Sequence, residues 1–274
     1  MRLLEGKVAI ITGSGRGIGR SVAKLFVEHG ASVLINDLDH EVGDEVAAAI
    51  TAEGGRAVAC NGSVADEKFS DQLINTALDE FGRLDIIVNN AGYTWDAVVH
   101  NMTDKAWESM IAIHMTAPFR IIRAASSYFR ETARQEMAND QRVHRKIINV
   151  SSVSGLTGNA GQVNYAAAKM GVVGMTKALA REWGRFNINV NAVAFGFIET
   201  RLTDAKEKGV RLKIQDNEIG IGVPATAREE FKKMIPLGRP GTPEEAAGPV
   251  LFLASPLSDY VTGVVLTVAG GSYM

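Results

Sequence analysis

The chain has 274 residues, 46% hydrophobic and 22% charged, with 29 lysines and arginines against 31 aspartates and glutamates and a formal net charge of -2. Such usage excludes a disordered, collagen-like or coiled-coil chain, and the even balance of charge excludes a global electrostatic drive toward nucleic acid or anionic lipid. No run of about 18 apolar residues offers a membrane span, the opening MRLLEGKVAIITG holds no signal-peptide core, and the single cysteine, Cys60, has no intrachain partner. A cytoplasmic protein is the expectation.

In chain order, strand-length apolar runs at 8–12, 32–36, 56–60, 86–89, 146–150, 189–193 and 264–268 alternate with helical patterns at 18–28, 41–53, 68–81, 105–137, 163–183 and 244–254. Most of the short runs are rich in Val and Ile without polar alternation, as strands buried on both faces are. The alternation implies an α/β fold, a Rossmann-type doubly wound parallel sheet of about seven strands with helices on both faces. No linker or repeat divides the chain, so residues 1–274 read as one domain.

Two stretches fall outside the alternation. Residues 130–146 hold five basic and three acidic side chains and read as an exposed, solvated helix extension. Residues 199–234, polar and punctuated by Gly209, Gly220, Gly222 and Pro224, follow the sixth strand and read as a substrate lid, whose Lys206, Lys208, Arg211 and Lys213 suit a phosphate of coenzyme A or an acidic carrier protein. His29, His40, His100 and His144 are expected on the surface.

The first strand runs into Gly13, Ser14, Gly15, Arg16, Gly17, Ile18 and Gly19, and a helix pattern starts at once. Glycines there let the backbone approach a pyrophosphate, while the free N–H groups and positive end of the helix stabilise its charge. Asp37 closes the second strand, where a carboxylate accepts hydrogen bonds from the adenosine ribose and repels a 2′-phosphate. NAD(H) is therefore expected over NADP(H), with Arg16 as the counterweight. The fourth strand ends in Asn89, Asn90, Ala91 and Gly92, where an adenosine or a catalytic segment would lie. Ser152 follows the fifth strand, Tyr165 comes 13 residues later, and Lys169 shares its helix face. A tyrosine titrates near pH ~10, but a neighbouring ammonium and the positive oxidised nicotinamide favour the tyrosinate and bring it into range as an acid or base.

These motifs together resemble the short-chain dehydrogenase/reductase family: TGSGRGIG, NNAG, a serine 13 residues before YAAAK, and FGFIET, in that order over nearly the whole chain. The resemblance implies that Tyr165 is the general acid/base, that Lys169 lowers its pKa and holds the nicotinamide ribose, and that Ser152 positions the carbonyl or hydroxyl. It also implies that Ile198 and Thr200 contact the carboxamide and phosphates, and that the chain is a homotetramer. The C-terminal stretch is most similar to the 3-oxoacyl-acyl carrier protein reductases of that family, with related hydroxyacyl-CoA dehydrogenases close by. A hydride transfer between NAD(H) and a 3-hydroxyacyl/3-oxoacyl thioester is thus expected, in a direction set by the cofactor ratio. A polyol, sugar or steroid dehydrogenase is the alternative within the family, and a nucleotide-sensing binding protein the alternative outside it.

Three positions depart from the family pattern. His114 stands where an asparagine is usual and takes the fourth catalytic position, supporting Lys169 through a water. Phe195 replaces a proline, which should loosen the turn into the lid. Ser63 and Val64 stand where an aspartate and a valine usually meet the adenine, leaving only backbone contacts. No metal site, P-loop, HExxH or GxSxG motif is present.

Overall fold

Val8 to Ile11 carry no polar side chain, and in the computed structural model, which describes residues 2–214 and 217–273, they form the first strand of a seven-stranded sheet. Its strands are β1 (Val8–Ile11), β2 (Ser32–Ile35), β3 (Arg56–Ala59), β4 (Ile86–Asn89), β5 (Arg145–Ser152), β6 (Ile188–Phe195) and, after a separate hairpin of β7 (Arg211–Ile214) and β8 (Asn217–Gly220), β9 (Val265–Val268). They lie in the order β3-β2-β1-β4-β5-β6-β9, and every pairing is parallel. This is the doubly wound order, with its reversal between β1 and β4.

Alternation along β1 builds both halves of the core. Ala9 and Ile11 face the layer of α1 (Gly17–Glu28), α2 (His40–Ala52) and α9 (Pro243–Ala254), packing with Val22, Phe26, Ile50 and Val250. Val8 and Ile10 face α3 (Phe69–Phe81), α5 (Ala117–Ala138) and α7 (Val163–Trp183), packing with Leu73, Ile121, Phe129 and Trp183. Local chemistry sets the helix ends. Thr242 and Glu245 form a reciprocal capping box with Pro243 in the first turn of α9, and Gly82 ends α3 in the left-handed region at φ 74°.

Four expectations need correction. The helix expected at 105–137 is broken: α4 (Asp104–Ile111) runs into a π turn, Ala112–Thr116, before α5. Pro118 has no N–H to give, and the Ala117 N–H instead reaches the carbonyl of Ala112, five residues back. The stretch 130–146 is only partly solvated: Arg145 is 2% exposed and makes a two-pronged ion pair with Glu136 at 2.7 and 2.8 Å, and buried Lys146 holds Asp259 at 2.7 Å. His144 in the same stretch is not a free surface residue, its Nδ1 lying 2.9 Å from the Asn189 amide oxygen. Phe195 does not loosen the chain. It is buried and extends β6, paired with both Ser152 and Val268.

The segment 199–234 holds more structure than its composition suggests, namely the β7–β8 hairpin and α8 (Ala225–Lys233); its residues 215 and 216 lie outside those described, as do the first and last residues of the chain. No helix among the described residues is long and apolar enough to cross a membrane.

Candidate active site

The C-terminal ends of β1, β4, β5 and β6 open into a cavity of about 660 Å³, the position at which open α/β sheets bind ligands. Its floor is the glycine loop. A Cβ on Gly19 would run into the carbonyl oxygen of Gly13, and one on Gly13 would lie 2.8 Å from the Cα of Ala91, so neither position tolerates a side chain. Asn90 braces the loop, its amide donating to the carbonyls of Thr12 and Gly13 at 2.9 and 3.1 Å.

Gly13, Arg16, Gly17, Ile18, Gly19, Asp37, Ser63, Val64, Asn90, Ala91, Gly92, His114, Ser152, Tyr165, Lys169, Ile198 and Thr200 all line this one cavity. Two expected members do not. Ser14 is fully buried, donating to the Ile11 carbonyl at 2.8 Å and accepting from the Asn36 N–H at 3.1 Å. Gly15 turns its N–H to the Asp37 carboxylate at 3.1 Å. Both shape the loop from behind.

Asp37 is held from two sides, by Gly15 and by the Asp39 N–H at 3.1 Å, whereas Arg16 is drawn to Asp39 at 2.8 Å and stands 4.0 Å from Asp37. Arg201, from the segment after β6, also lines the cavity and lies within the fields of Arg16, Asp37 and Asp39; burial and the Arg16 charge lower its pKa. Nothing in the local sequence pattern pointed to it.

At the other end, Asn164 fixes the start of α7: its amide donates to the carbonyls of Trp95 and Ala106 at 3.0 and 3.1 Å, and its oxygen accepts from the Tyr165 N–H at 2.8 Å. Lys169, 4% exposed, donates to the Val150 carbonyl at 2.7 Å, and its Nζ lies 5.6 Å from the centre of the Tyr165 ring. Burial dominates both titrations. It pulls Lys169 down to about 7 and pushes Tyr165 up to about 12, with a hydrogen bond from Ser152 opposing the rise and the Asp96 charge adding to it. The expected depression of Tyr165 by Lys169 is therefore not seen in this geometry, where burial governs both groups and Lys169 has no counterion among the described residues.

His114 sits in the π turn, 3% exposed, with Nε2 2.7 Å from the Tyr93 carbonyl. That bond requires the Nε2–H tautomer and leaves Nδ1 as a buried acceptor with no partner among the described residues. Burial, then the Lys169 charge, holds its pKa well below the ordinary value.

Over residues 13–273 the chain matches the family model described as enoyl-(acyl carrier protein) reductase. Among similar proteins, the 3-oxoacyl-[acyl-carrier-protein] reductase FabG of Vibrio harveyi is 41% identical over 271 residues, 99% of each chain. The FabG of Thermotoga maritima is 39% identical over 268 residues, 98% of each, and the 3-oxoacyl-[acyl-carrier-protein] reductase of a Synechocystis strain 38% identical over the whole of both chains. The chain belongs to the short-chain dehydrogenase/reductase family. As a short-chain dehydrogenase/reductase it is an oxidoreductase acting on CH–OH groups with a nicotinamide cofactor. The residues present fit that group: a loop whose Gly13 and Gly19 leave no room for a side chain where the pyrophosphate would lie, and Asp37 at the far end for the adenosine.

Proposed function

We propose that this protein reduces 3-oxoacyl thioesters, with NAD(H) preferred over NADP(H). The observation that carries the reading is the meeting of Ser152, Tyr165 and Lys169 in the cavity floored by the glycine loop. The relatives' names point to a 3-oxoacyl group, and the wall supplied by Leu202, Leu212, Phe231 and Ile235 is apolar, which favours an acyl chain over a polyol.

The nicotinamide, when bound, supplies or takes up the hydride. Ser152 orients the substrate oxygen by donating its hydroxyl hydrogen, and Tyr165 gives that oxygen its proton during reduction or removes it during oxidation. Lys169 holds the nicotinamide ribose and carries positive charge toward Tyr165. His114, neutral and with Nδ1 free to accept, links Lys169 toward solvent through water. The N–H groups at the start of α1, from Arg16 to Gly19, would hold the pyrophosphate, with Gly13, Ser14 and Gly15 shaping the loop behind them and Thr200 opposite, while Ser63 and Val64 would border the adenine and Ile198 meet the carboxamide.

NAD(H) preference rests on Asp37. Two guanidiniums, Arg16 and Arg201, face two carboxylates there, so net charge does not decide between the cofactors. What decides is that the Asp37 carboxylate is locked by two N–H groups beside the ribose position. The segment 199–234 is the substrate lid, and acyl carrier protein or coenzyme A bears the thioester. Exposed apolar side chains on neighbouring helices, Trp107, Phe119 and Met170, support a homotetramer.

The experiment is turnover on a panel of 3-oxoacyl thioesters, sugars, polyols and steroids with each cofactor. Highest kcat/KM on a thioester is expected. A polyol or steroid as the best substrate overturns the reading, and binding of NADH without turnover on any of them makes the protein a nucleotide-binding module.

A further inference from the structure

Asp96 lies in the loop after β4 and lines the cavity alongside Tyr165. The loop is laced to the segment that leads into α7. The Ala97 N–H donates to the Gly161 carbonyl at 2.8 Å, the Gln162 amide donates to Asp96 Oδ2 at 3.0 Å, and the Asn159 amide donates to the Gln162 oxygen at 3.0 Å. The Thr94 hydroxyl adds a further hydrogen bond to the carboxylate. The segment that orients Tyr165 thus also aims this carboxylate.

Among the described residues its partners are one neutral amide and one hydroxyl, with the cation Lys206 of the 199–234 segment acting on it through space. Asp96 is open to the cavity, yet surrounded closely enough that burial raises its pKa above the ordinary carboxylate value. Its charge reaches Tyr165 and makes the tyrosinate less favourable. A negative charge held on the wall of the same cavity as the reacting hydroxyl, with no bonded counterion among the described residues, repels any anionic group brought into that cavity.

We propose that Asp96 selects substrates by charge, turning away ketones that carry a carboxylate beside the reacting carbonyl and admitting their neutral thioesters. The proposal rests on the reading of Tyr165 as the proton donor. It adds a reason for the substrate to arrive as a thioester: the sulfur-linked carrier removes the charge that Asp96 opposes.

The test compares acetoacetate with its N-acetylcysteamine thioester, in the wild type and in Asp96→Asn, which keeps the shape and an acceptor for Gln162. The wild type should favour the thioester, and the variant should narrow that kcat/KM ratio by about 10- to 30-fold, mainly through a lower KM for the anion. An unchanged ratio overturns the proposal. A second readout is the pH dependence of alcohol oxidation. The polar and charged groups facing Tyr165 are Ser152 from β5, His114 from the π turn, Lys169 from α7 and Asp96 from its loop, with Lys206 facing Asp96 in turn. Removing the Asp96 charge should move the rise in rate to lower pH, and a rise that stays in place counts against the proposal.

Should the variant fold poorly, the wild type alone suffices. As the pH is lowered until Asp96 takes up a proton, which its raised pKa places ahead of an ordinary carboxylate, its discrimination against acetoacetate should weaken, and a ratio that stays flat down to the acid limit of folding refutes the assignment. If no thioester is reduced but another ketone is, the substrate reading has failed; Asp96 is then scored on that ketone in its neutral and carboxylate forms.

Discussion

The ring of His114 stands edge-on to that of Tyr165, with centroids 4.9 Å apart and planes at 90°. Gly92 makes the approach possible, because a Cβ there would overlap the imidazole. The histidine is thus a ring-packing partner of the tyrosine and a donor to the Tyr93 carbonyl through Nε2, with Nδ1 left to accept.

His114→Phe keeps the aromatic edge and removes both nitrogens. We expect lower kcat with little change in KM. Stability supplies a second measure. The folded pKa of His114 lies below its unfolded value, so the unfolded chain binds more protons below pH ~6.5 and the wild type loses stability as pH falls through that value. Thermal unfolding from neutral pH downward should show a smaller acid-side loss in the variant.

Tyr165→Phe removes the transferable proton and leaves the ring. Turnover should fall by roughly 10²–10⁴-fold or more, while NADH binding followed by fluorescence titration stays near that of the wild type. Retention of more than about a tenth of kcat is incompatible with the assigned acid/base role.

Lys169 carries the opposite sign from most paired lysines. Its folded pKa of about 7 lies below the ordinary lysine value of 10.5, so between these values the unfolded state holds the extra proton and stability rises with pH. Lys169→Met, whose side chain does not titrate, should show its greatest relative stability near pH 7 or below. The difference in Tm, variant minus wild type, should shrink steadily toward pH ~9. A difference independent of pH shows that the lysine is solvated or paired.

Asp37→Ser removes the carboxylate at the end of β2 and leaves Arg16 and Arg201 facing the adenosine side. The ratio of kcat/KM for NADH over NADPH should drop by about 10- to 100-fold, because the variant loses the ribose acceptor and the like charge facing a 2′-phosphate, a contact of about 4 kcal/mol at ~4 Å and an effective dielectric of 20 that Arg16 and Arg201 already relieve in part. A wild type that prefers NADPH removes the cofactor assignment.

On the lid, Lys208 is engaged by Asp204 at 2.7 Å and Arg211 by Glu218 at 3.2 Å, both at exposed positions, where such pairs contribute about 0–1 kcal/mol and yield readily to a phosphate. Neutralising Lys206, Lys208, Arg211 and Lys213 together should raise KM for a coenzyme A thioester roughly fivefold more than for an N-acetylcysteamine thioester, with the gap closing in high salt. Equal effects on the two substrates exclude a phosphate contact.

The buried strands were legible because Val, Ile and Leu runs have one structural meaning when both faces are covered, and Ser152, Tyr165 and Lys169 because spacing along one helix and one strand end brings them close without help from elsewhere. Asp96, Gln162, Asn164 and Arg201 act only where distant segments meet, and no local pattern marks such a meeting. Arg145 and Glu136 illustrate the same limit: composition cannot tell a solvated charge from one that closes a two-pronged pair inside the protein. Pro118 was a readable signal for the break in the long helix, overridden by the strong periodicity on either side of it.

The order of the sheet has a bearing on how this protein behaves at high concentration. The two strands with an open side, β3 and β9, are four residues each, whereas the eight-residue β5 and β6 are enclosed by neighbours. A short margin offers few free N–H and C=O groups to another chain's backbone. Self-association through strand addition is thereby discouraged at both rims of this sheet, which favours contacts between copies through side-chain surfaces, where they can be specific and reversible.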